Sequence, residues 1–281
     1  MKVHQNVDID SEPEKALLSA LEEEFSGLLF ALSSTDRMKL LSELQGGDVR
    51  LTDLSRRLPA TAQETSKHLS RLVDAGVIEK SPLGAYRLTA FGKLVMETIP
   101  SLRFVSQNRK YFMTHDLSFL PPEFVMRLGD LSEHVFVDHV TNVLTECQHL
   151  LGIAEKYFLW TIDQPLPWVL LKPLPETMHA RCIMPSDISP ASYRQAKNVL
   201  GIGSEARFAA QVRIGLAVNE KMGGIVFPDS EGRIDFASGF IGYSRSFQSW
   251  CHDLFNHMWD EASSKWPSGL AEVKPDAGTK P

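Results

Sequence analysis

The chain has 281 residues, 43% of them apolar and 23% charged, which suffices for a packed core and for two domains. No apolar run reaches membrane-spanning length, and the N-terminus MKVHQNVDIDSEPE is acidic rather than a basic, cleavable leader. The three cysteines, Cys147, Cys182 and Cys251, are too scattered for a disulfide framework or a zinc site, so the expectation is a cytoplasmic protein with reduced thiols, no cofactor and no membrane partner.

The net charge of −6 is uneven: residues 1–34 sum to −5, residues 35–110 to +5 and residues 111–281 to −6. A cationic segment inside an acidic chain is the part able to meet a polyanion.

In chain order, Leu17, Leu18, Leu21, Phe25, Leu28, Leu29 and Leu32 recur at helical spacing over Glu14–Leu32. Ser33, Ser34 and Thr35 interrupt this helix and offer caps for a second, Asp36–Leu44, stopped by Gly46-Gly47. Thr52 is expected to cap a short helix through Leu58, before Pro59. Thr61 with Glu64 three residues on forms a capping-box pattern for a helix reaching Ala75 and Gly76. Val77–Lys80 and Ala85–Thr89 read as strands joined by the turn Ser81-Pro82-Leu83-Gly84. Phe91–Phe112 is then mostly helical, interrupted near Pro100. This order is a winged helix-turn-helix, which makes double-stranded DNA the expected partner.

On the Thr61–Ala75 helix, Ala62, Thr65, Leu69, Leu72 and Val73 form a core stripe, with His68 at its edge. Gln63, Ser66, Lys67, Ser70 and Arg71 lie away from it: an amide, hydroxyls and cations, the groups that read base edges in a major groove. Glu64 and Asp74 share that outer side. The N-terminal half reads bases, and Arg71 reaches a base or a phosphate. Arg56 and Arg57 suit backbone contacts, as do Lys80 and Arg87 on the hairpin.

The strings LLFALSSTDRMKLLSEL, LTDLSRRL and ETSKHLSRLVDAGVIEK, with a wing ending in RLTAFGK, resemble winged-helix domains of the ArsR and MarR type over about residues 25–95. The resemblance implies a homodimer on a pseudo-palindromic site. Lys15–Leu32 and Leu94–Phe112 are the candidate dimerisation helices, being richer in apolar surface than lone helices.

A second domain is expected over 118–266, after a winged helix with flanking helices over 14–115 and before a disordered tail over 267–281. Its expected elements are helices at Pro122–Leu131, Val135–Gly152, Pro190–Leu200 and Tyr243–Ser263. Its expected strands are Lys156–Ile162, Arg207–Val218, Gly223–Phe227 and Arg233–Phe236. The overall class is therefore α+β with an α/β C-terminal domain. Trp250, Leu254, Phe255, Met258, Trp259 and Ala262 recur as a core stripe; His134, His139, His252 and His257 give no zinc spacing. Gly201-Ile202-Gly203 lacks the third glycine of a dinucleotide loop.

LPPEFVMRLGDL, GIVFPDSEGRIDFASGF and FQSWCHDLFNHMW resemble the sensor region of archaeal methanogenesis regulators of the FilR type, over about 118–262. Regulators of the TrmB kind are also similar, with an effector domain like the phospholipase D fold. That fold's catalytic His-x-Lys motif is missing: the nearest string is Asn219-Glu220-Lys221, and Asn is not a nucleophile.

Strand ends are where α/β domains hold ligands, so Trp160, Asp163, Gln164 and Arg181 are the candidate effector contacts. The expected function is a homodimeric, non-enzymatic DNA-binding transcriptional regulator with a small-molecule-sensing domain. The alternatives are a hydrolase with an accessory winged helix and a winged helix used for protein contact.

Overall fold

The computed structural model describes residues 12–163, 174, 178–200, 204–265, 267 and 270. The chain divides into two compact units between Ile99 and Pro100, earlier than the expected boundary at 115–118. The reason is packing: Phe104 and Tyr111 are buried in the core of the second unit.

The first unit contains α1 (Glu12–Leu32), α2 (Thr35–Leu44), β1 (Val49–Arg50), α3 (Leu51–Arg57), α4 (Ala62–Asp74), β2 (Ile78–Lys80) and β3 (Ala85–Leu88). Ser34 caps α2, its side chain accepting from the Arg37 N–H. Thr52 is not a cap: α3 begins one residue before it, after Arg50. Val49 and Arg50 are drawn into strand pairing opposite Tyr86 and Ala85, so the helix must start directly beyond them. The resulting antiparallel sheet has the order β1-β3-β2. Leu40, Leu41, Leu54, Leu69, Leu72 and Val77 form the centre of the core, each essentially inaccessible. The helices α2, α3 and α4 with a small sheet that ends in the β2–β3 hairpin make the winged-helix arrangement.

α5 (Ala90–Gln107) carries the chain across the division. Pro100 does not interrupt it; the break comes at Asn108, before α6 (Arg109–Phe112).

The second unit is a mixed seven-stranded sheet, ordered β4-β10-β9-β8-β5-β6-β7. Its strands are β4 (Val135–Asp138), β5 (Tyr157–Thr161), β6 (His179–Pro185), β7 (Glu205–Ala209), β8 (Gly215–Val218), β9 (Gly223–Val226) and β10 (Ser238–Gly242). β5, β6 and β7 are parallel and the other pairings antiparallel. Its helices are α7 (Pro122–Met126), α8 (Val140–Ile153), α9 (Pro190–Leu200) and α10 (Arg245–Glu261), with a 3₁₀ turn at Leu128–Leu131.

Successive strand residues point to opposite faces. Phe158, Trp160, Cys182 and Met184 pack with Val143 and Leu150 of α8 and with Tyr193 and Ala196 of α9. Leu159, Ile183, Leu216 and Val218 pack with Phe124 of α7 and with Trp250, Leu254 and Phe255 of α10. The sheet is thus the middle of three layers, and α10 is indeed a core helix. All three cysteines are free, and burial pushes the Cys147 thiol up to about 11.

Several sequence expectations change here. Val135–Asp138 opens as an edge strand rather than a helix, and α8 starts only after His139, whose φ is 66°. Arg207–Val218 is two strands, β7 and β8. Arg233–Phe236 makes only an isolated bridge, Pro228 to Ile234, and β6 and β10 are additional strands. Of the expected tail, Leu270 is buried in the α8–α9 face, and residues 271–281 lie outside the described set. Among the described residues no helix is long and apolar enough to cross a membrane.

Candidate nucleic-acid interface

The local sequence builds α4 from its first residue. The Glu64 N–H donates to the Thr61 hydroxyl at 3.2 Å, and the Glu64 carboxylate accepts the Thr61 N–H at 2.9 Å. These two bonds satisfy donors that a helix start leaves open. The Thr61 main-chain and side-chain donors hold the Glu64 carboxyl below its usual range. Glu64 is thereby turned back toward the cap. The helix closes at Ala75, and Gly76 follows at φ 70°.

α4 is anchored by Thr65, Leu69 and Leu72, all buried. Ala62 and Val73, expected in the stripe, are exposed, so the anchored face is narrower than the sequence pattern suggests. Gln63, Ser66, Lys67, Ser70 and Arg71 are exposed. Gln63, Ser66, Lys67 and Ser70 make no side-chain hydrogen bond or ion pair among the described residues. From Gln63 to Ser70 the helix rises about 10 Å, within the reach of a rod lying in a major groove. Asp74 continues the same side and sets its acidic end. His68 is half-buried, with Nδ1 unpartnered among the described residues.

The other predicted cations are exposed but engaged. Arg57 meets Glu43 at 2.7 Å, Arg87 meets Glu79 at 2.7 Å across the hairpin, and Arg56 lies 3.8 Å from Asp53. Lys80 stands over the Tyr86 ring at 5.7 Å. Such exposed pairs are worth little, about 0–1 kcal/mol each.

Arg71 is not aligned with Lys67. Its guanidinium lies 5.8 Å from the Phe30 ring centre at the end of α1. The same ring lies 5.6 Å from Arg37, which donates to the Phe30 and Ala31 carbonyls. Burial first, then the Arg71 charge, pull the Arg37 guanidinium below its usual value. Sequence reasoning passed over Phe30 and Arg37; no spacing signal marks a ring held between cations of two other helices.

α1 leaves Leu18, Leu21, Phe25 and Leu29 exposed on one face. On α5, Leu94 and Leu102 are also exposed.

Of the predicted effector contacts among the described residues, Trp160 and Arg181 lie on opposite faces of the sheet. In the parallel β5–β6 pair, Trp160 sits opposite Cys182 and Leu159 opposite Arg181. Trp160 therefore packs on the α8–α9 face, while Arg181 points to the α10 face, 5.3 Å from the Trp259 ring and 3.6 Å from Glu205. Asp163 follows β5, and Gln164 lies outside the described residues. Asn219 and Glu220 are structural: Asn219 donates to the Leu150 carbonyl at 2.7 Å, and the Glu220 carboxylate accepts the N–H groups of Glu155, Lys156 and Tyr157. No group of three His, Cys, Asp or Glu among the described residues is placed to hold a metal.

No family model matches the sequence, and no curated protein matches it either. Among solved structures the chain is similar to TrmBL2, described as an archaeal chromatin protein with a novel mode of DNA binding. That match has 12% identity and a TM-score of 0.36, over 83% of this chain and 94% of that one. An ArsR-like transcriptional regulator from Rhodococcus sp. RHA1 is 27% identical over 34% of this chain and 90% of its own, with a TM-score of 0.26. An S-adenosylmethionine-dependent methyltransferase, SibL, is 12% identical at a TM-score of 0.27, over 85% of this chain and 92% of that one.

Proposed function

We propose that this chain is a sequence-specific, DNA-binding transcriptional regulator without catalytic activity, acting in the cytoplasm. The observation that carries the reading is the α4 surface: Gln63, Ser66, Lys67 and Ser70 project together from a helix whose opposite side is locked into the core. Lys67 supplies charge with no partner among the described residues to surrender. Arg56, Arg57, Lys80 and Arg87 take phosphates by exchanging carboxylate or ring partners for them.

The chain works as a homodimer on a two-fold-symmetric operator. The Leu18, Leu21, Phe25 and Leu29 face supports this, because a monomer has little reason to leave such a stripe in water. The second unit serves as a sensor of the methanogenesis-regulator type, on the strength of the C-terminal sequence strings. A ligand that binds one dimer geometry better shifts the spacing of the two α4 helices by linkage.

Selection of bound duplexes from a random pool, followed by footprinting at several salt concentrations, tests the proposal. A symmetric motif whose affinity falls steeply with salt is expected. Absence of any enriched duplex overturns it and leaves protein contact as the role of the winged helix.

A further inference from the structure

The carboxyl ends of β5, β6 and β7 open on a cavity of about 570 Å³. Open α/β sheets hold ligands at such ends, where the strand order switches direction. Here the chain steps outward from β5 to β6 and β7, then returns to lay β8 on the other edge of β5. Thr161 sits buried at that split. Its hydroxyl donates to the Ile214 carbonyl and accepts the Leu216 N–H at 2.8 Å, which fixes the floor of the cavity. The volume suits a small molecule.

The cavity walls are apolar where Leu120, Phe208, Leu254 and Met258 line them. Two opposite charges line it from different elements: Arg213 in the β7–β8 loop and Glu261 in the last turn of α10. Arg213 donates through Nε and Nη2 to the Gln211 side-chain oxygen, at 3.0 and 2.8 Å. That bond orients the guanidinium plane with a neutral acceptor, and Arg213 has no carboxylate in ion-pair range among the described residues. Glu261 lies 3.5 Å from His257 Nε2 and remains 71% exposed. It stands at a helix C-terminus, whose partial negative charge favours a cation. A simple anion meets Arg213 but is repelled by Glu261, and a simple cation meets the reverse. A zwitterion satisfies both.

We propose that this cavity binds an aliphatic amino acid, its carboxylate on Arg213, its ammonium on Glu261 and its side chain against Leu120 and Met258. The inference rests on the sensing role proposed above and names its ligand class. Isothermal titration of the full chain tests it with three probes: L-leucine, isocaproate (which lacks the ammonium) and isoamylamine (which lacks the carboxylate). Leucine should saturate one site, with each truncated probe about tenfold weaker, the scale of one lost charge-assisted hydrogen bond.

Arg213→Gln should weaken leucine by about the same factor and leave isoamylamine unchanged; Glu261→Gln should weaken leucine and leave isocaproate unchanged. Ala210→Trp, at an exposed lining residue, should block all three without disturbing the core. The proposal is overturned if leucine shows no saturable binding, if the three probes bind alike, or if neither charge variant changes leucine affinity. The titration needs no DNA, so its failure leaves the operator reading standing, and loss of duplex binding leaves the cavity result intact.

Discussion

Replacing Lys67 with alanine separates groove contact from fold stability, because this side chain is exposed and has no ion pair among the described residues. Nothing in the core depends on it, so the thermal midpoint should correspond to a change within about 0.5 kcal/mol. Duplex affinity should fall by about 1–3 kcal/mol if the ammonium meets a base edge, roughly five- to 150-fold in Kd. A phosphate contact instead weakens all sequences alike and lowers the slope of log affinity against log salt by about 1. Arg57 provides the internal comparison: it must leave Glu43 at 2.7 Å, an exposed pair worth about 0.2–1 kcal/mol, so Arg57→Ala should cost less binding than Lys67→Ala by about that amount. Arg71 must likewise leave the Phe30 ring, at about 0.5–1 kcal/mol. Fluorescence anisotropy of a labelled operator at four salt concentrations reads all three variants. Unchanged affinity and slope in both Lys67→Ala and Arg71→Ala would refute the assignment of this helix face.

Thr61→Ala removes the acceptor for the Glu64 N–H and should destabilise the first unit by about 0.5–2 kcal/mol, read as a lower urea midpoint. Gly92→Ala should be costly, about 1–3 kcal/mol, because its Cβ would stand 1.9 Å from the Val77 carbonyl oxygen, main chain that cannot step aside; an unchanged midpoint would contradict that close approach. At Glu220 burial alone would raise the carboxyl, but the N–H groups of Glu220, Glu155, Lys156 and Tyr157 outweigh it and hold it below its usual value. Its stabilisation is therefore full above the ordinary carboxylate range and lost as pH falls through the lowered folded value. Melts of Glu220→Gln should be less sensitive to acid than those of the parent, and parallel pH curves would exclude this linkage.

The winged-helix elements were legible because their signals are local. The Thr61–Glu64 box, the Gly76 stop and the 3.6-residue spacing of Leu69 and Leu72 act within a turn or two of chain. The wing was legible for the same reason, since Ser81–Gly84 joins adjacent strands. The second unit was read less well where pairing is distant. β10 carries Gly239 and Gly242, which look like turn residues in sequence. Gly239 instead lets β10 approach β9 closely, as a Cβ there would stand 2.6 Å from the Ile225 carbonyl oxygen. Val135–Asp138 has the apolar content of a helix start, but its pairing with Ser238–Ile241 makes it an edge strand.

Sequence alone determined which helix turns a polar, cationic face outward, because caps and apolar periodicity specify both its ends and its buried side. Tertiary structure decided which of those cations are already engaged and which strand residues share a face. Arg71 rests on Phe30 from another helix, and the register of β5 on β6 sends Trp160 and Arg181 to opposite sides of the sheet. It also brought Arg213 and Glu261, 48 positions apart in the chain, to one cavity. Neighbours of that kind are set by strand order and layer packing, which depend on the whole chain at once and leave no trace in the spacing of nearby residues.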